Sequence, residues 1–124
     1  MTDTRDRPID DDGLKALCRE WQDRLGLAHW RIVARLARKS DMGADNCDGC
    51  SRCCPERETA VVEVIDPIDY VDDDIPYDAE QILVHELMHV MLDAWDTASD
   101  RELTQKEQAL DRISRVMLGM KRRE

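Results

Sequence analysis

Phenylalanine is absent from this chain of 124 residues, and three Trp and two Tyr are its only aromatic residues. The core therefore has to be assembled from Leu, Ile, Val, Met and Ala, which limits the chain to one modest core and a single domain spanning residues 1–124. Basic residues are also in short supply, 18 Lys and Arg against 28 Asp and Glu, for a formal charge of −10. That balance works against direct binding to a phosphate backbone, which needs clustered cations to release counterions, and no direct nucleic-acid partner is expected. The one basic cluster, Lys121, Arg122 and Arg123, suits the negative end of a helix dipole and is assigned no function.

A long apolar run is missing as well. The Asp- and Arg-rich start, Met1 to Gly13, contains nothing that would serve as a signal peptide or a membrane helix. Residues 1–12 are expected to be disordered, and the protein is expected to be cytoplasmic, with no membrane partner. Five cysteines would be reduced in that compartment, so their clustering points to a metal before a disulfide framework.

What is present is organised as an α+β domain without an internal repeat. Leu14, Leu17, Cys18, Trp21 and Leu25 recur at helical spacing, with Gly26 as the C-terminal cap. Trp30–Leu36 and Thr59–Ile65 have the β-branched, alternating character of strands and are expected to pair as a short antiparallel sheet or hairpin. Between them lies a cysteine-rich loop, residues 39–57, too long for a simple turn. The stretch from Asp66 to Asp78, with two prolines, six aspartates and no basic residue, reads as a solvated connection. Asp78 with Gln81 forms a capping box for a helix from Ala79 to Trp95, and Ser99 with Glu102 caps a third helix ending near Gly119. The apolar stripe of this last helix is expected to comprise Leu103, Leu110, Ile113, Met117 and Leu118.

The chemistry is carried by His85-Glu86-Leu87-Met88-His89. Histidines four apart stand one above the other on a helix face and can reach the same ion, and two of the three histidines in the chain fall in this motif. Glu86 leans toward the side of that ion, where a carboxylate can take a proton from zinc-activated water. Imidazole and carboxylate ligands with an open position suit Zn2+. A third ligand is needed, and the acidic choices on the third helix are Glu102, Glu107 and Asp111. Glu107 is preferred, because Glu107, Leu110, Asp111 and Ser114 follow i, i+3, i+4, i+7 spacing and an acid beside leucines is costly unless paired or metal-bound. Asp111 could then fix the tautomer of a coordinating histidine. His29, at a helix-to-strand corner, is read as a capping or packing residue.

H-E-x-x-H followed on a later helix by E-x-x-x-D, here Glu107-Gln108-Ala109-Leu110-Asp111, resembles the gluzincin arrangement of thermolysin-like metallopeptidases. The order of elements from Leu14 to Leu118 is also similar to very small candidate metallopeptidases of phages and prophages. The resemblance implies a minimal zincin-like fold, with zinc on His85, His89 and Glu107, Glu86 as general base and Asp111 orienting a histidine. It further implies a peptide or protein substrate lying along an exposed strand edge, for which Thr59–Ile65 is the candidate. The chain differs from the large gluzincins in having no second domain and no downstream histidine to stabilise an oxyanion. Tyr70 or Tyr77 could lend a phenol instead, although covering a core edge is the commoner use of tyrosine. The motif also occurs in SprT-like proteases of DNA-bound proteins, against which the acidic balance weighs.

The cysteine loop offers a second, structural metal site. Cys47-Asp48-Gly49-Cys50 looks like a ligand knuckle, with Cys53 and Cys54 in reach, and the fourth ligand is open among Cys54, Cys18 and an aspartate. An iron–sulfur cluster and free thiols are the other readings of the same spacing. At the level of function the alternative to a metallopeptidase is a non-catalytic, zinc-stabilised binding or inhibitor protein, carried by a phage.

Overall fold

A computed structural model describes residues 9–42, 47–72, 74–92 and 100–124, with only the backbone for 100–103. It is α+β, with three α-helices and a three-stranded mixed sheet among the described residues. Helix α1 spans Asp11–Arg24, α2 Ala79–Leu92 and α3 Asp100–Arg122; the strands are β1 Arg31–Ala37, β2 Gly49–Cys54 and β3 Thr59–Ile65.

Helix α1 begins earlier than its apolar stripe suggests. Asp10 caps it by accepting from the Gly13 amide at 2.7 Å, and Asp11 accepts from the Leu36 amide at 2.8 Å. Of the twelve residues expected to be disordered, Ile9 to Asp12 are thus the cap and first turn, and 1–8 lie outside the described residues. At the other end Gly26 adopts a φ of 74°. The Leu27 amide then reaches the Gln22 carbonyl at 2.7 Å and the Gly26 amide the Asp23 carbonyl at 3.4 Å, the paired bonds of a Schellman cap. Leu14, Cys18 and Trp21 are buried on the inner side of this helix.

The two strands read from the sequence do pair, but in parallel. Arg31 lies opposite Thr59 and Ala37 opposite Ile65. The antiparallel pair is β2 with β3, from Gly49 opposite Val64 to Cys54 opposite Thr59, and the sheet order is β1-β3-β2. The cysteine-rich segment is therefore partly strand. A 3₁₀ turn at Pro55–Arg57 and Glu58 at a φ of 52° reverse the chain into β3, which inserts between the other two strands. The physical reason lies in β3 itself: Ala60, Val62 and Val64 are buried on one face, and Glu63 and Ile65 on the other. Thr59–Ile65 is consequently the central strand. The exposed edge expected there belongs to β1 and β2.

One face of the sheet packs on α1 and α2, giving a core that joins Leu14, Trp21, Ala34, Val62, Val64, Leu83, Leu87 and Leu118. The Asp78 carboxylate caps α2 through the Gln81 amide at 3.2 Å and is gripped by Arg122 with two bonds of 3.0 Å. Lys121 contacts Glu80 and Glu20. The terminal basic cluster so fastens the end of α3 to the start of α2. Helix α3 continues through Gly119 to Arg122, beyond the stop expected from the glycine. Its buried face is Leu110, Ser114 and Leu118, whereas Ile113, placed in the stripe by sequence spacing, stands 47% exposed. The expected extension of α2 to Trp95 and the Ser99 cap lie outside the described residues, as do the side chains of Glu102 and Leu103.

Candidate metal centre

Helix α2 is buried along most of its length, with Leu83, Val84, Leu87, Met88 and Val90 in the interior. Such a helix cannot turn to suit a ligand, so its one polar stripe is fixed in direction by packing on every other side. His85 and His89 occupy that stripe one turn apart, with ring centroids 5.0 Å from each other and planes tilted by 56°. Helix α3 runs beside it, anchored by Ser114, whose hydroxyl reaches the Leu110 carbonyl at 2.7 Å and Met88 Sδ at 3.3 Å.

This packing delivers Glu107 between the two imidazoles. Glu107 Oε2 lies 2.8 Å from His85 Nε2, and Oε1 lies 2.7 Å from His89 Nε2. Both rings thus turn the same nitrogen toward one carboxylate. Asp111 follows one turn on, but its Oδ1 is 3.8 Å from His85 Nδ1, in ion-pair range and too long for a hydrogen bond. Its closer partner is Arg115.

Glu86 sits on the sheet side of the histidines and is buried. It is hydrogen-bonded to Ser51 of β2, and its carboxyl is pushed up to about 7, chiefly by burial. His85 and Ser51 act in the opposite direction, and the charge of Glu107 adds to the rise. Ligand atoms of His85, Glu86 and His89 all lie within 4.8 Å of one another. The donor set, two imidazole nitrogens with carboxylates converging from a neighbouring helix and an adjacent position, fits a Zn2+ ion.

Two contributors escaped the sequence reading. Gly49 is no knuckle turn: it lies in β2 where the strand passes α2, and a Cβ there would stand 2.7 Å from Ile82 Cγ2 and 2.9 Å from Glu86 Cγ. Ser51, two residues on, faces the same way by strand alternation. Nothing in the sequence marks Ser51, because its role depends on β2 being a strand.

The same alternation separates the cysteines. Cys50 and Cys54 share one strand face, and Cys53 points to the other, where it packs against the core. The four residues Cys47, Cys50, Cys53 and Cys54 do not form a metal-sized group among the described residues, and none of the five cysteines is in a disulfide. Cys18, the other possible ligand, is buried on α1 against Gln22. Cys47 instead neighbours the histidine centre, its thiol pushed up by burial and then by the charges of Glu86, Cys50 and Glu107.

The tyrosines are committed elsewhere. Tyr70 donates to the Ile75 carbonyl at 2.7 Å and Tyr77 to the Ile65 carbonyl at 2.6 Å, with the rings edge to face at 5.4 Å. They cover the outer end of the sheet, with both hydroxyls bonded to backbone carbonyls. His29 pairs with Glu58 at 2.8 Å on the surface.

Compared with protein-family models, curated proteins and solved structures, the chain matches none. Fold and site together define an α+β domain with a histidine–glutamate group able to hold a metal ion. Among the described residues no helix is long and apolar enough to cross a membrane.

Proposed function

We propose that the chain is a zinc-dependent metallopeptidase in which His85, His89 and Glu107 hold the ion. The observation that carries this reading is the convergence of both imidazole Nε2 atoms on one carboxylate, at 2.8 and 2.7 Å. A bound Zn2+ supplies Lewis-acid polarisation of a carbonyl and lowers the pKa of water toward about 7.

The remaining work belongs to the chain. Glu86 takes a proton from the attacking water and passes it to the departing amine, and Ser51 holds the carboxyl in its orientation. The peptide or protein substrate lies along β2, the sheet edge whose Gly49 and Ser51 border Glu86. Main-chain pairing along an edge recognises an extended backbone with little demand on side chains. The test uses purified chain, elemental analysis and labelled casein. Wild type should carry one zinc that His85→Ala loses, and Glu86→Gln should keep the zinc while losing turnover. Turnover undiminished in Glu86→Gln would sink the peptidase reading.

A second reading is favoured by one observation. The cavity of about 370 Å3 on the opposite sheet face, between Arg31, Val33, Arg52 and Val61, contains none of the centre's residues. In that reading the chain is a zinc-stabilised binding or inhibitor protein, and Glu86→Gln leaves its biological effect intact.

A further inference from the structure

The two edges of the sheet are not equally open to an extended chain. Along β1, Asp11 accepts from the Leu36 amide at 2.8 Å and Gln22 Nε2 donates to the Trp30 carbonyl at 2.9 Å, so side chains of α1 occupy main-chain groups at both ends of that strand. On β2 the Asp48 carbonyl accepts from the Ile65 amide at 2.8 Å, which fixes the antiparallel alternation. Cys50 and Arg52 turn their peptide groups to β3, and Gly49 and Ser51 turn theirs outward. Among the described residues, none of the backbone bonds formed outside helices and strands reaches Gly49 or Ser51.

A peptide paired with β2 sends alternate side chains to opposite faces of the sheet. Those level with Ser51 enter the metal centre, and their neighbours emerge beside Arg52 on the other face. There Arg52, Val61 and Val33 stand in register across the three strands, with Cys54, Thr59 and Arg31 in the next row. These six residues line the cavity of about 370 Å3, which is apolar in the middle and bounded by Arg31 on β1 and Arg52 on β2. Charge on this face is one-sided. Its one carboxylate, Glu63, is held by Arg35 through Oε2 at 3.1 Å, while Arg52 is 3.8 Å from Oε1, beyond hydrogen-bond reach, and 58% exposed. Arg31 forms no ion pair among the described residues. The acids at the turn into β3 are engaged, Glu58 with His29 at 2.8 Å and Glu56 with the Cys54 thiol at 3.3 Å. Three guanidinium groups thus share one carboxylate, in a chain whose formal charge is −10.

We infer that this cavity is a specificity pocket for acidic side chains: the peptide paired with β2 carries Asp or Glu within about two residues of the bond at the metal centre, and that carboxylate meets Arg52, with Arg31 across the cavity. The inference rests on the metallopeptidase reading for the cut and not for the binding. A partly exposed ion pair of this kind changes binding by about fivefold, and the apolar row of Val61 and Val33 receives the stem of the side chain.

The test incubates the zinc-loaded full chain with short synthetic peptides of randomised sequence and reads the cut sites by mass spectrometry. Asp and Glu should be enriched about fivefold beside the cut bond, and less in about 0.5 M salt, where exposed charges are screened. Arg52→Gln should abolish the enrichment, and Arg52→Glu should replace it with Lys and Arg, a reversal that a merely structural role for Arg52 does not produce. Both variants alter an exposed side chain and should keep the wild-type circular dichroism; Arg31→Gln should weaken the enrichment independently. Cuts without acidic preference, or a preference that Arg52→Glu leaves in place, would overturn the pocket while the peptidase reading stands. Absence of any cut counts against the peptidase reading, so the same mixture is also passed over immobilised Glu86→Gln chain. Where nothing is cut, retention decides: acidic peptides held, and basic ones held instead once Arg52→Glu is added, keep the pocket without the peptidase. Retention lacking that reversal, or no retention, overturns it.

Discussion

Trp21 donates its indole N–H to Glu80 Oε2 at 2.7 Å, joining α1 to the first turn of α2 inside the core. Lys121 from the end of α3 contacts the same oxygen, and Glu80 is only 1% exposed. Three helices therefore meet at one buried carboxylate. Removing one partner of a buried ion pair is costly because the charge left behind loses compensation, of which Arg122, 3.5 Å from Glu80 Oε1, here supplies only part. Lys121→Met should cost about 3 kcal/mol in urea unfolding, and adding Glu80→Leu should recover most of that loss.

Close approach of β2 to α2 makes Gly49 sensitive to any side chain. A Cβ at this position meets Ile82 and Glu86 inside 3.0 Å, near the roots of those side chains, so strand or helix must shift. Gly49→Ala should lower stability by about 1–3 kcal/mol, the usual range for overpacking. Thermal unfolding of the metal-free chain reads this without reference to activity.

If His85, His89 and Glu107 hold zinc, the ion binds the folded chain alone and should stabilise it by mass action. At free zinc about 100-fold above the dissociation constant the gain is about 2.7 kcal/mol. His89→Ala should remove it. Cys50→Ser, Cys53→Ser and Cys54→Ser together should leave it unchanged, because Cys53 lies on the other strand face from Cys50 and Cys54, which are four residues apart along β2; a lost gain in that triple variant would return the cysteines to the metal site.

Burial pushes the Cys18 thiol up to about 11 from an ordinary value of 9.0. The folded state therefore keeps its proton at pH values where the unfolded chain has lost it. The contribution of this thiol is fully present below about pH 9 and is lost as pH rises through about 11, amounting to at most about 2–3 kcal/mol. The stability difference between wild type and Cys18→Ala should narrow or reverse across that window. A difference independent of pH between 9 and 11 would show that the thiol titrates normally. Iodoacetamide at pH 8 should likewise label Cys18 only after unfolding.

Much of the candidate site was legible because a helix writes its geometry into spacing. Four residues separate His85 from His89, four separate Glu107 from Asp111, and Ser114 continues that face into the core. Periodicity also gave α1, its Gly26 cap and the Asp78 cap of α2. The third helix was harder: Ile113 and Leu118 look equivalent in a polar sequence, and only docking against α2 selected which of them is buried.

Local sequence by itself marked the three helical segments and the strands β1 and β3, and placed His85, His89 and Glu107 in one candidate group. The tertiary structure decided how those segments are used. Gly49–Cys54 has weak strand character and becomes β2 only by pairing with β3, which makes β3 central, puts β1 and β3 in parallel and splits the cysteines between two faces. The same pairing brings Gly49 and Ser51 onto Glu86. Helix caps and stripes depend on residues within a turn or two of one another, whereas strand pairing depends on partners far along the chain, and no local pattern records which partner wins.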